Sequence, residues 1–138
     1  MFTVEGPSEL PLEPVEGVPD VWRVTEPIPF VVKAIVGEDE VEITITVFEG
    51  FKTDVASTPE WLHWLFPRRH RKYDGAAVLH DFLYVVQNVT TKAAPLFGYK
   101  DPRKFADDVF YYHMRGWRRW WMWAAVRLTA GYYWKMFN

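Results

Sequence analysis

Residues Ala76 to Tyr84 read Ala-Ala-Val-Leu-His-Asp-Phe-Leu-Tyr, an apolar helical stretch interrupted by one adjacent polar pair, His80 and Asp81. Charge on a core helix carries a heavy desolvation cost unless a partner or a metal satisfies it. The rest of the chain must therefore supply partners. Positions three and four apart adjoin on a helix, so Ala77, His80, Asp81, Tyr84 and Gln87 form one strip, while Leu79, Leu83 and Val86 point elsewhere.

Working outward, the helix around this stretch is expected over roughly Asp74 to Asn88. Two more follow: Asp101 to Arg115, with Asp101 as cap and Pro102 in the first position, and Trp117 to Met136. Ala106-Asp107-Asp108-Val109-Phe110 again sets acids among aromatics. An antiparallel pairing of the first two helices brings Asp107 to His80 and Tyr84. A carboxylate on an imidazole fixes its tautomer and leaves the other ring nitrogen to take a proton from water, which is general-base chemistry. The same group can equally be a hydrogen-bonded network that ties two helices together. Asp81, facing another way, can bind a hard cation together with carbonyls and Asp54 of the upstream loop; such an ion polarises a substrate and stabilises an oxyanion.

That loop runs from Phe51 to Glu60 and ends in helix-start chemistry, with Ser57 and Glu60 at capping-box spacing and Pro59 in the first turn. A short helix with Trp61, Leu62, Trp64 and Leu65 stops near Pro67. Before the loop, Phe30 to Val36 is rich in β-branched residues and Gly37-Glu38-Asp39-Glu40 is turn-like. Val41, Ile43, Ile45 and Val47 then alternate with Glu42, Thr44 and Thr46, which predicts a β-hairpin with one buried face. Residues 1–29 hold six of the ten prolines and no period, which reads as an extended arm that orders against a partner.

At 138 residues, 49% apolar and 18% aromatic, the chain has material for one core and is expected to be a single domain over 1–138: the arm 1–29, the hairpin 30–49, and a loop and helical core over 50–138. With no cysteine, disulfides and thiolate metal sites are excluded. The first thirty residues lack the basic start and apolar run of a secretory signal. Residues 1–60 hold 13 acids against 3 bases and residues 61–138 hold 5 against 13. Halves of −10 and +8 can steer an anionic partner, associate copies head to tail, or attract each other within one fold.

In the last helix Trp117, Trp120, Trp121, Trp123 and Trp134 lie among Arg118, Arg119, Arg127 and Lys135. Its longest uncharged stretch, Trp120 to Val126, falls far short of the roughly twenty residues that span a bilayer. It suits a lipid interface, a protein groove, or a core whose arginines escape to solvent. Arg68-Arg69-His70-Arg71-Lys72 raises local potential, but no phosphate cradle or nucleic-acid motif accompanies it, so nucleic acid is not an expected partner. A metal phosphohydrolase would need further histidine ligands; His63, His70 and His113 exist, without a proper first ligand ahead of His80.

Thr53 to Pro59, Ala77 to Tyr84 and Ala106 to Met114, in that order, resemble the small secreted prokaryotic phospholipases A2, and Trp121 to Gly131, with Ala124-Ala125-Val126-Arg127, is similar to that family's last helix. The resemblance spans about residues 50–131. It implies His80 as base, Asp107 as its orienting carboxylate, Tyr84 as a supporting hydroxyl, and Asp54, the Val55 carbonyl and Asp81 as calcium ligands. Ala56 and Ala77 stand at the family's cysteine positions, so its disulfide is absent. Gly50 to Pro59 after a hairpin and before Ala76 to Tyr84 also resembles a phage and prophage family of unknown function (domain of unknown function 1353), over nearly all the chain after Trp22. That implies a viral gene context.

The expectation is thus an α+β fold, with a small antiparallel sheet followed by a phospholipase A2-like set of three to four helices. It carries a calcium-assisted, histidine-based lipid ester hydrolase of phage origin, located in the virion or the infected cell's cytoplasm. The competing expectation is a non-catalytic virion or tail component that binds neighbouring proteins or its own copies through the arm and the aromatic helix.

Overall fold

The computed structural model describes residues 2–18, 21–53, 74–114, 118–129 and 131–136. Six strands come first: β1 (Phe2–Glu5), β2 (Leu12–Pro14), β3 (Trp22–Val24), β4 (Ile28–Val36), β5 (Asp39–Val47) and β6 (Lys52–Thr53). They form two antiparallel sheets, ordered β1-β4-β5 and β2-β3-β6. Helices α1 (Asp74–Val85), α2 (Gln87–Ala93), α3 (Pro102–His113), α4 (Arg118–Thr129) and α5 (Gly131–Met136) follow, with a 3-10 turn at Ala94–Phe97. The fold is α+β, as expected.

The hairpin forms because its two strands bury alternate residues on the same face. Ile28, Phe30, Val32 and Ala34 are buried on β4, and Phe30 stands opposite Ile45. On β5, Ile45 and Val47 are buried while Glu42, Thr44 and Thr46 face out. Val36 pairs with Asp39, leaving a two-residue loop in which Gly37 takes φ +64°, the left-handed value that tight hairpin turns need and glycine adopts without strain.

Residues 1–29 were expected as an arm ordered by a partner. The described part is instead ordered by the chain's own core: β1 pairs with β4, and Phe2 and Val4 are buried. Prolines restrict local conformation without preventing edge pairing, and Phe2 offers enough apolar area to hold the strand down. Its ring meets Phe97, Tyr99, Phe105 and Tyr112 at centroid distances of 5.4–6.0 Å. The sheet is thereby fastened to α3.

The helix expected over Asp74 to Asn88 is broken. Val86, at φ −98° and ψ 70°, separates α1 from α2, and the Thr90 hydroxyl donates to the Leu83 carbonyl at 2.5 Å, the acceptor that a continuous helix would offer to residue 87. Arg103 Nη2 donates to the Val126 and Arg127 carbonyls of α4 at 3.0 and 2.8 Å. The α3 start is as expected, with Asp101 accepting from the Arg103 backbone N–H at 3.0 Å and Pro102 in the first turn. The capping box at 57–60 and the short helix after it lie outside the described residues.

Candidate active site

Helices α1 and α3 run antiparallel. Gly75 lies against His113, His80 against Phe110 and Asp107, and Tyr84 against Arg103. Small residues make the close approach feasible, because Ala76, Ala77 and Ala106 are all buried. The crossing places His80 and Tyr84, one helical turn apart, over Asp107.

Asp107 has no exposed surface, and His80 Nε2 stands 2.8 Å from its Oδ1. The Tyr84 hydroxyl donates to the same oxygen at 2.6 Å. Oδ2 takes Arg127 Nη1 at 2.9 Å and lies 3.8 Å from Arg103 Nε. Arg103 Nε also donates to the Tyr84 hydroxyl at 3.0 Å. A buried carboxylate with this many donors is compensated rather than stranded.

Burial alone would raise the Asp107 pKa, but the hydrogen bonds from His80, Tyr84 and Arg127 outweigh it and hold the carboxyl below its ordinary range. The Tyr84 phenol moves up, first because it is buried and then because Asp107 opposes a second negative charge. At neutral pH Asp107 is therefore a carboxylate and Tyr84 a phenol. With the Asp107 contact on Nε2, the bond fixes the proton there and leaves Nδ1 with its lone pair; among the described residues Nδ1 makes no hydrogen bond. The His80 side chain is 10% exposed.

Of the sequence-derived site residues, the structure brings His80, Tyr84 and Asp107 together. Asp81 is half-buried and accepts from the Thr53 hydroxyl at 2.5 Å. Asp54 and Val55 lie outside the described residues. Asp81 stands beside the end of β6, and among the described residues no group of three or more histidine or acidic side chains gathers that could hold a metal ion. Among the alternative ligands, His63 and His70 also lie outside the described residues. His113 packs edge-on against Phe30 at 5.3 Å and belongs to the core interface.

Gln87 does not extend the polar strip, because the break at Val86 re-aims it to the Trp134 carbonyl at 2.7 Å. Asp108 points away from its neighbour Asp107, taking the Tyr99 hydroxyl at 2.6 Å, Trp123 Nε1 at 2.9 Å and Lys104 Nζ at 3.1 Å. Sequence reasoning missed Arg103 and Arg127. Arg103 carried a visible signal, four residues before Asp107 on one helix face. Arg127 belongs to the helix for which a lipid interface, a protein groove and a core with solvent-facing arginines were all open; its guanidinium turns inward to Asp107.

An α+β chain with a buried His–Asp–Tyr group set between two antiparallel helices defines the class. The chain belongs to a family of proteins of unknown function, DUF1353, which matches residues 22–126. No curated protein and no solved structure matches it.

Proposed function

We propose that this protein is a hydrolase of lipid esters in which His80 activates water. The observation that carries the reading is the 2.8 Å contact between His80 Nε2 and a fully buried Asp107. Nδ1 takes a proton from water as the water oxygen bonds to the ester carbonyl carbon. The imidazolium, steadied by Asp107, then returns that proton to the alcohol oxygen as the C–O bond breaks. Calcium, held by Asp81 with Asp54 and the Val55 carbonyl, would supply a Lewis acid for the carbonyl oxygen. The similarity of these segments to phospholipases A2 supports the substrate class, and the family resemblance supports a phage setting, in the virion or the infected cell.

The test is release of fatty acid from phospholipid vesicles by the full chain with and without calcium. Calcium-dependent release, reduced by at least about 10²-fold in a folded His80→Ala variant, is expected. No turnover by the intact protein would overturn the reading.

A second reading has its own observation. Trp120 and Trp121 are each 52% exposed and Leu128 is 85% exposed, on a helix otherwise anchored to α3. An exposed aromatic face suits a virion or tail component that docks on neighbouring proteins or on its own copies. It equally suits a lipid surface, although no helix among the described residues is long and apolar enough to cross a membrane. The docking reading predicts self-association or capture into particles; a monodisperse monomer whose Trp120 and Trp121 stay solvent-quenchable in particle preparations would count against it.

A further inference from the structure

The two oxygens of Asp107 have different neighbours. Oδ1 serves α1, accepting from His80 and Tyr84. Oδ2 serves α4, through the hydrogen bond from Arg127 at 2.9 Å, with Arg103 Nε of α3 farther off at 3.8 Å. Helices α3 and α4 run antiparallel, with Tyr111 near Arg119, Asp108 bonded to Trp123 and Asp107 bonded to Arg127. They are joined by crossed contacts: Arg103 of α3 holds the last-turn carbonyls of α4, and Arg127 of that same turn holds the carboxylate of α3.

A carboxylate turns broadly about its last side-chain bond, with no deep rotamer well of its own. One oxygen bonded only to an imidazole and a phenol leaves the other free to drag the group round. A guanidinium on the second oxygen removes that freedom, because two contacts from opposite sides define the carboxylate plane. We propose that Arg127 is the positioning residue of the His80–Asp107 pair: by occupying Oδ2 it keeps Oδ1 aimed at Nε2, so that the imidazole stays in one tautomer with its lone pair on Nδ1. Arg127 acts through Asp107, not on substrate. The use made of that lone pair rests on the hydrolase reading above, whereas the positioning does not.

The experiment uses the full chain labelled with 15N-histidine, at about pH 8 where an ordinary imidazole is neutral, with the His80 ring signals assigned by their loss in His80→Asn. In the native protein the ring should show a protonated Nε2 with slow proton exchange and an unprotonated Nδ1. Arg127→Met should keep the helical circular dichroism, mix the two tautomers, and speed exchange of the Nε2 proton by at least about ten-fold, since a freed carboxylate opens more often. Arg127→Lys should restore most of the native pattern, because it returns a cation to Oδ2. Should Arg127→Met fail to fold, Arg127→Gln decides: its amide is better tolerated at a partly buried site, and its nitrogen falls two bonds short of the place of Arg127 Nη1.

A folded Met or Gln variant with the native ring pattern overturns the proposal. Vesicle assays on the same proteins keep the two readings apart. If the native chain hydrolyses lipid, Arg127→Met should lower kcat by about 10²-fold with KM little changed, the signature of misplaced machinery. If the native chain is inactive while the ring pattern responds to Arg127, the hydrolase reading fails and the positioning role is upheld.

Discussion

Arg127 Nη1 stands 2.9 Å from Asp107 Oδ2, the carboxylate oxygen that His80 does not use. The charge at the centre of the helical layer therefore has its own counterion, brought from the helix after the one that carries it. A lone His–Asp pair in this place would leave a buried charge dependent on the imidazole's protonation. With Arg127 present the carboxylate is compensated whether the imidazole is neutral or charged, which lets His80 change state without unfolding the site.

Acid stability should report this arrangement. The folded Asp107 carboxyl is depressed, so its contribution is complete above the unfolded carboxylate value of about 3.9 and is lost as pH falls through the folded value. Thermal unfolding followed from neutral pH downward should show an acid limb beginning near that value. Asp107→Asn should flatten part of the limb and, by leaving Arg127 without its partner, cost about 3 kcal/mol at neutral pH. An acid limb unchanged in the variant would contradict the assignment.

Alkaline behaviour carries the opposite sign. The Tyr84 and Tyr99 phenols are both raised by burial first and then by their aspartates, so their contribution is complete below about pH 10 and is lost as pH climbs through their folded values. Phenolate absorbance should show these two ionising after the exposed tyrosines. Tyr84→Phe should soften the alkaline loss of stability and remove about 1 kcal/mol at neutral pH through its missing hydroxyl bonds.

Gly6 is expected to be intolerant of a side chain. A Cβ there would come within 2.6 Å of Phe30 Cδ1 and Cε1, and that ring is wholly buried between the sheet and the start of α1. Gly6→Ala should cost about 1–3 kcal/mol by denaturant unfolding, the range for overpacking a core. A neutral result would mean that the ring can retreat.

Two neighbours on α4 should differ sharply. Met122 is buried at 2% exposure, whereas Trp121 is half exposed. Met122→Ala should destabilise by about 2–5 kcal/mol, and Trp121→Ser by less than about 1 kcal/mol. Equal costs would place Trp121 in a buried setting that the isolated chain does not provide, in favour of a docked partner.

Sequence reading reached the hairpin through the alternation from Val41 to Val47, the α3 start through Asp101 and Pro102, and the meeting of His80, Tyr84 and Asp107 through helical spacing. The first two rest on short-range rules, and the third needs in addition the antiparallel packing of α1 on α3. It misread the N-terminal segment, because prolines speak about local conformation and say nothing of Phe2 finding a pocket among Phe97, Tyr99, Phe105 and Tyr112. It also drew one helix where Val86 divides two, because the competing donor to the Leu83 carbonyl is the hydroxyl of Thr90 in the next helix.

Periodicity and capping operate within one or two turns of chain, so the polar strip on α1 and the acid pair on α3 were written in the residues themselves. Which arginine answers Asp107 and which oxygen it takes were decided by the packing of α3 against α4. So was the divergence of Asp107 and Asp108, one toward the imidazole and the other toward Trp123. Such choices depend on distances between elements twenty residues apart, set by the summed burial of whole helix faces rather than by any local pattern.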